Sequence, residues 1–198
     1  MLSAPKVERL CSDYGCAVAN VLVSYDDDAS GNVLVCSGDA DSVDRLVAAA
    51  KQAGAAKAAR LSVSYAFHSA ALLPAIERFR AAVKAARLAL PALTVYSNVT
   101  GAPYPSNIPE MEHLLTQQLV SRVEWHSALA SLRRAGNRPS AIFECGPKRE
   151  LKAVMRRFDR DMWESTVSVE VGEKMAAPAI TEAPGPATPT TVLASLVV

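Results

Sequence analysis

The chain has 198 residues, half of them apolar, enough for one sizeable core or for a medium domain with a small module attached. Lysine and arginine number 21 against 20 aspartates and glutamates. No stretch concentrates one sign into a polyanion-binding face, so nucleic acid is not expected as a partner, and no run approaches the roughly 20 apolar residues of a bilayer span.

From the N-terminus, Pro5 to Gly15 reads as a short helix, with Val7, Leu10 and Cys11 on one face and Gly15 as its stop. Two apolar runs, Ala17–Val23 and Val33–Cys36, flank the acidic stretch Asp26–Gly31 and predict strand, loop, strand. Asp39 or Asp41 can cap a helix carrying Val43, Leu46, Val47 and Ala50, which Gly54 ends. Ala59, Leu61 and Val63 then alternate with polar residues, as a strand does. This order describes a ferredoxin-like βαββαβ unit without its first strand, of which Met1–Ser3 reads as a stub. The module is expected to present an unpaired edge.

Leu72, Leu73, Ile76, Phe79, Val83 and Ala86 predict one long amphipathic helix, followed by a strand around Leu93–Tyr96 and a turn at Gly101. Asn107 and Glu110 form a capping-box pair for a helix through Met111, Leu114, Leu115, Gln118 and Leu119. A helix from Glu124 to Ala135 stops at Gly136. Ala141–Cys145 is a buried strand, Gly146–Pro147 a turn, Leu151 to Phe158 a helical face and Thr166–Val171 a last strand. Alternating strands and helices predict a parallel α/β sheet in this second part. Glu173–Val198, rich in alanine, proline and threonine, is expected to be a disordered tail. The expected divisions are thus 1–64, 65–172 and 173–198.

The candidate chemistry is sparse. His68 lies between a strand and a helix, where α/β sheets place ligands and catalytic groups, although a histidine beside an apolar strand is more often a packed residue. His113 and His126 read as surface residues, and the histidines make no metal site. No G-x-S-x-G elbow occurs, nor any glycine-rich phosphate loop. Cys11, Cys16, Cys36 and Cys145 lack paired spacing and read as reduced and structural, Cys145 as the buried end of a strand. Arg156, Arg157 and Arg160 read as a solvated helix end. Met1–Leu10 carries neither a secretory h-region nor an Arg-rich presequence.

Four segments in order resemble the malonyl-CoA:acyl carrier protein transacylase family: Val33–Gly38, Tyr65–Ser69, Tyr96–Gly101, and Gln117–Trp125 leading to Phe143–Pro147. Tyr96-Ser97-Asn98-Val99-Thr100-Gly101, Gln117-Gln118-Leu119-Val120-Ser121 and Met162-Trp163 resemble the mitochondrial members in particular. The resemblance covers about Ala17 to Val171. It implies an α/β-hydrolase-like acyltransferase domain with a ferredoxin-like insertion, and an enzyme that loads malonyl from malonyl-CoA onto the pantetheine thiol of acyl carrier protein for fatty acid synthesis.

The resemblance assigns His68 as general base and the Gln118 backbone carbonyl as the group orienting it. Phe67, Tyr65 and Asn98 fall at substrate-binding positions. The bulk of Phe67 favours malonyl over α-methylated acyl groups, and Tyr65 is less typical of the malonyl motif. No cofactor or metal is implied. A mitochondrial location follows, with cytoplasm or plastid as alternatives, and a monomer when full length. The serine nucleophile and the arginine that pairs with the malonyl carboxylate belong to family segments not found in these residues, and Lys148 replaces a common glycine. Met1-Leu2-Ser3 reads as an internal family segment, as a truncated gene model or an alternative start would give. The residues as they stand are therefore expected to be inactive alone, with a non-catalytic remnant that binds acyl carrier protein as the alternative, and a hydrolase using the same dyad as a third reading.

Overall fold

The computed structural model describes residues 2–24, 32–134, 139–146, 148–169 and 191–197. The helices are α1 (Ala4–Asp13), α2 (Ala40–Gln52), α3 (Ile76–Ala85), α4 (Ile108–Gln117), α5 (Trp125–Arg134), α6 (Glu150–Phe158) and α7 (Arg160–Glu164). The strands are β1 (Ala17–Val23), β2 (Val33–Asp39), β3 (Lys57–Arg60), β4 (Ile142–Cys145), β5 (Thr166–Val169) and β6 (Thr191–Val197). The chain forms two compact units, one of Met1–Asn137 with Thr190–Val198 and one of Arg138–Pro189. No unit boundary falls at Ser64, because hydrogen bonds tie the two sides of that residue together: Val21 N–H donates to the Val123 carbonyl (2.9 Å) and Val123 N–H to the Ala19 carbonyl (2.8 Å).

The first unit is built on a four-stranded sheet in the order β1-β2-β6-β3, antiparallel at every step. Its core takes Val7 and Cys11 from α1, Leu34 and Cys36 from β2 and Leu46 from α2, all buried. Burying Leu46 completely contributes on the order of 1.5–3 kcal/mol. Helix α2 starts where the sequence places a cap: the Asp39 carboxylate accepts from Ser42 N–H at 2.9 Å and from the Ser42 hydroxyl at 2.6 Å. The Ser42 hydroxyl, then its backbone N–H, hold the Asp39 carboxyl below its ordinary range. Asn107 caps α4 as read, its side-chain oxygen accepting from Glu110 N–H (2.9 Å), but the Glu110 carboxylate accepts from the Asn107 side-chain amide (2.7 Å), where the expected capping box would use the backbone N–H.

Several expectations need correction. The strand expected through Val63 ends at Arg60, where its pairing with β6 also ends, and the chain turns at once with Val63 N–H on the Leu61 carbonyl. The long helix from Leu72 is a 3₁₀ turn, Ala70–Ala75, followed by α3. Pro74 explains the break, since it has no N–H to give an α-helical bond. Leu93–Tyr96 is not a strand. Tyr96 makes one isolated bridge to Pro103, and Leu93 is 81% exposed, so the apolar run has no sheet to join among the described residues.

The tail expectation is also corrected in part, because Thr191–Val197 is a strand lodged between β2 and β3. Its aliphatic and β-branched composition suits a pleated ladder, and the strands it pairs with lie far away in sequence. Residues 170–190 lie outside the described residues, as do the acidic loop 25–31 and the helix stop at Gly136.

In the second unit β4 pairs with β5 in parallel, Ile142 opposite Thr166 through Cys145 opposite Val169. A parallel pair needs a crossover, and α6 and α7 supply it. Met155, Phe158 and Met162 are its buried apolar contacts. Helix α7 was not read from the sequence. Asp159 caps it, accepting from Met162 N–H at 3.0 Å, and thereby separates it from α6. The Glu144 carboxylate accepts from Leu151 and Lys152 N–H at the start of α6 and from the Ser168 hydroxyl. Desolvation opposes ionisation there, but those donors together with Lys152 hold the Glu144 carboxyl below its ordinary range.

Candidate active site

The turn Tyr65–Ser69 is the most constrained piece of backbone around a candidate catalytic group. The Ser37 hydroxyl from β2 donates to the Phe67 carbonyl at 3.0 Å. The Ser69 hydroxyl donates to the Ala66 carbonyl at 2.7 Å and accepts from Ala71 N–H, closing the turn on itself. Between these anchors His68 takes a left-handed conformation, φ 58°. For a residue with a bulky side chain that costs about 1–2 kcal/mol, and such strain persists only where the surroundings hold it.

The end of α4 does the holding. The last carbonyls of a helix have no intrahelical donor, and two in the turn just beyond α4 meet His68: its backbone N–H donates to Leu119 O at 3.2 Å, and its ring Nδ1 lies 2.8 Å from Gln118 O. A carbonyl only accepts, so the contact requires a proton on Nδ1 and leaves Nε2 of the neutral ring as an acceptor. An imidazole so fixed can take a proton from a hydroxyl or thiol presented to Nε2. Nitrogen-15 spectra of the chain at a pH where His68 is neutral should show the Nδ1–H tautomer. A predominant Nε2–H form would remove the orienting role of Gln118.

Phe67, His68, Phe79, Gln118 and Leu119 line a cavity of about 180 Å³. Tyr65 packs edge-on against Phe67, ring centroids 6.0 Å apart, but does not line the cavity. Asn98 does not line it either; its backbone carbonyl accepts from Glu124 N–H at 2.7 Å, joining the Tyr96–Gly101 turn to α5. Sequence reasoning missed Ser37, Ser69, Phe79 and the Leu119 carbonyl. Ser37 and Ser69 stand inside segments already singled out, whereas Phe79 was read only as one position of a helical face.

Other parts of the chain offer weaker chemistry. A cavity of about 390 Å³ between residues 90–95 and 103–106 has no histidine, acid or cysteine in its lining. Burial, then Cys11 and Asp39, push the Cys16 thiol up to about 11, and a hydrogen bond with Cys11 followed by burial raises Cys36, so neither is a thiolate at neutral pH. Cys145 is exposed rather than buried, because alternate residues of β4 face outward. The His126 ring accepts from Ser24 N–H just beyond β1, at 3.2 Å. Arg156 stacks over the Trp163 ring at 5.5 Å and Arg160 pairs with Glu164. Among the described residues no cluster of acids, cysteines and histidines is arranged to hold a metal ion, and no helix is long and apolar enough to cross a membrane.

No protein-family model matches the chain. It is 32% identical over 174 residues to the probable mitochondrial malonyl-CoA-acyl carrier protein transacylase of Drosophila melanogaster, covering 83% of this chain and 43% of that protein. It is 37% identical over 115 residues to the mitochondrial malonyl-CoA-acyl carrier protein transacylase of Homo sapiens, covering 56% of this chain and 29% of that protein. Its fold is similar to the crystal structure of acyl-carrier-protein-S-malonyltransferase from Bartonella henselae, with a TM-score of 0.71 and 29% identity over 87% of this chain and 52% of that one. The chain therefore spans less than half the length of these two curated relatives.

Proposed function

The chain belongs to the malonyl-CoA:acyl carrier protein transacylase family, and from that premise we propose that it supplies the general-base side of an acyltransferase moving malonyl from malonyl-CoA to the pantetheine thiol of acyl carrier protein. The observation that carries this reading is the contact of His68 Nδ1 with the Gln118 carbonyl. With that nitrogen protonated, Nε2 takes the proton of a serine hydroxyl as its oxygen attacks the malonyl thioester carbonyl. The tetrahedral adduct collapses, and the coenzyme A thiol leaves with the proton returned by His68. In the second half-reaction Nε2 deprotonates the carrier's thiol, which attacks the serine ester and releases the hydroxyl.

The serine of this scheme is not among these 198 residues, which contain no G-x-S-x-G, so the polypeptide alone has a base with nothing to activate. Phe67 would bound the acyl pocket with its ring, leaving no space for an α-methyl branch, while Tyr65 braces that ring; a substrate-binding role for Asn98, which does not line the cavity, rests on the family resemblance alone. The carrier protein and malonyl-CoA are the proposed partners, a monomer the working form, and the mitochondrion the location, the last supported by the compartment in the names of the fly and human relatives.

The test joins to residues 1–198 the part of the Bartonella protein that this chain does not match, as the proposed source of the serine, and follows malonyl loading onto holo acyl carrier protein by mass spectrometry. The chimaera should load the carrier, and the 198-residue chain alone should not. A folded chimaera that binds carrier without acylating it would instead favour a non-catalytic binding role.

A further inference from the structure

We propose that Cys11 and Cys16 form a dithiol modification site, reached through a cavity beside α1, which a small disulfide such as oxidised glutathione converts into a Cys11–Cys16 bridge. The way α1 ends brings the two residues together. Gly15, left-handed at φ 69°, donates its N–H to Ser12 O at 3.4 Å, and Cys16 N–H donates to Cys11 O at 2.7 Å. That pair of bonds is the Schellman pattern, in which the residue after the glycine meets the side chain five positions before it, normally as an apolar contact. Here both are thiols. Across the 2.7 Å bond their Cα atoms lie no more than about 6.6 Å apart, inside the roughly 4.4–6.8 Å that a disulfide spans. Cys16 packs against the buried cluster that contains Cys11. Its sulfur lies over β2, where a Cβ on Gly38 would come within 2.7 Å of it, so Gly38 leaves the space the sulfur occupies.

Access is set by the cavity, about 420 Å³, which Cys11 and Cys16 line together with Glu8, Val18 and Arg122. Cys36, the third thiol of the cluster, is fully buried and does not line it. The half-buried Cys16 is therefore the entry point. Its thiolate attacks one sulfur of the incoming disulfide, which forms a mixed disulfide and releases one thiol. Cys11 then gives up its proton, attacks the Cys16 sulfur and releases the second thiol. The cysteine pair loses two electrons and the reagent gains them, and the two cysteine protons end on the two released thiols. Arg122 stands between Glu8 at 2.8 Å and Glu124 at 2.6 Å, so the rim sets one cation against two carboxylates and does not recruit an anionic reagent. Burial, then Cys11 and Asp39, push the Cys16 thiol up to about 11, against the opposing pull of Arg45. Closure is consequently slow at neutral pH and should quicken about tenfold per pH unit between about pH 7 and 9. None of this chemistry involves His68 or a serine.

The test uses the full chain with Cys145→Ser, which removes the exposed thiol of β4. After incubation with oxidised glutathione the remaining thiols are trapped with iodoacetamide in denaturant, and the chain is cleaved before Asp13, which separates Cys11 from Cys16 unless a disulfide joins them. Mass spectrometry should show a Cys11–Cys16 disulfide and an alkylated Cys36. Neutral hydroxyethyl disulfide should close the bridge at least as fast. With Cys11→Ser added, the reaction should stop at a glutathione adduct on Cys16, and with Cys36→Ala added the bridge should form as before. A Cys11–Cys36 bridge, a glutathione adduct that persists on Cys16 while Cys11 is present, or a Cys16 still unmodified at about pH 9 would overturn the proposal.

Discussion

Replacing His68 with alanine is expected to slow malonyl loading about 10²- to 10⁴-fold in the chimaera that supplies a serine, the range removed with a positioned general base. Folding should survive, because the imidazole is only half-buried and its backbone N–H, which remains in the variant, keeps the bond to Leu119 O. The left-handed conformation of this residue separates geometry from chemistry. His68→Gly removes the same base but relieves the Cβ penalty at φ 58°, so it should be about 1 kcal/mol more stable than His68→Ala and equally slow. Single-turnover acylation rates beside thermal midpoints measure both quantities. A loss under about tenfold in either variant would place the base elsewhere.

The legibility of this fold differs from element to element for physical reasons. Caps were readable because they are local: Asp39 with Ser42 and Asn107 with Glu110 are decided within three residues. The break at Pro74 was encoded equally locally, but the apolar spacing from Leu72 to Ala86 outweighed a single proline in the reading. Leu93–Tyr96 has strand composition, yet a strand exists only where a neighbour pairs with it, and periodicity does not carry that information. Thr191–Val197 is the converse case, in which a segment following a proline-rich stretch is a strand because it pairs with β2 and β3, which lie far from it in sequence.

The same division runs through the candidate site. A histidine at a strand-to-helix junction is visible in one short segment, whereas its partner lies fifty positions later. Periodicity put Gln118 on a helix. Nothing local shows that α4 ends at Gln117, or that the carbonyls of the next two residues turn toward His68, and the pairing was inferred from family resemblance. The Ser37 tether from β2 is equally non-local. It makes the setting of the Tyr65–Ser69 turn depend on packing in the ferredoxin-like portion.

The largest stability effect expected from a single methyl group is at Gly101. Its φ is +64°, and a Cβ built there would lie 2.5 Å from Ser127 Cβ and 3.0 Å from the backbone nitrogen of Ala128. Those atoms belong to α5, so relief requires moving a helix rather than rotating a flexible side chain. The left-handed penalty of about 1 kcal/mol adds to about 1–3 kcal/mol of overpacking, and Gly101→Ala should therefore destabilise the chain by about 2–4 kcal/mol. Gly146→Ala is the matched control, since its Cβ would meet nothing within 4 Å and its φ lies outside the left-handed range. Denaturant titration of the two variants, read by far-ultraviolet circular dichroism, should separate them clearly. The same turn holds the Asn98 carbonyl on Glu124 N–H, so chimaeras carrying Gly101→Ala should also load malonyl more slowly at temperatures where they remain folded. A Gly101→Ala chain within about 0.5 kcal/mol of the control would mean that the 97–101 turn can re-form without displacing α5, and that it does not fix the position of Asn98.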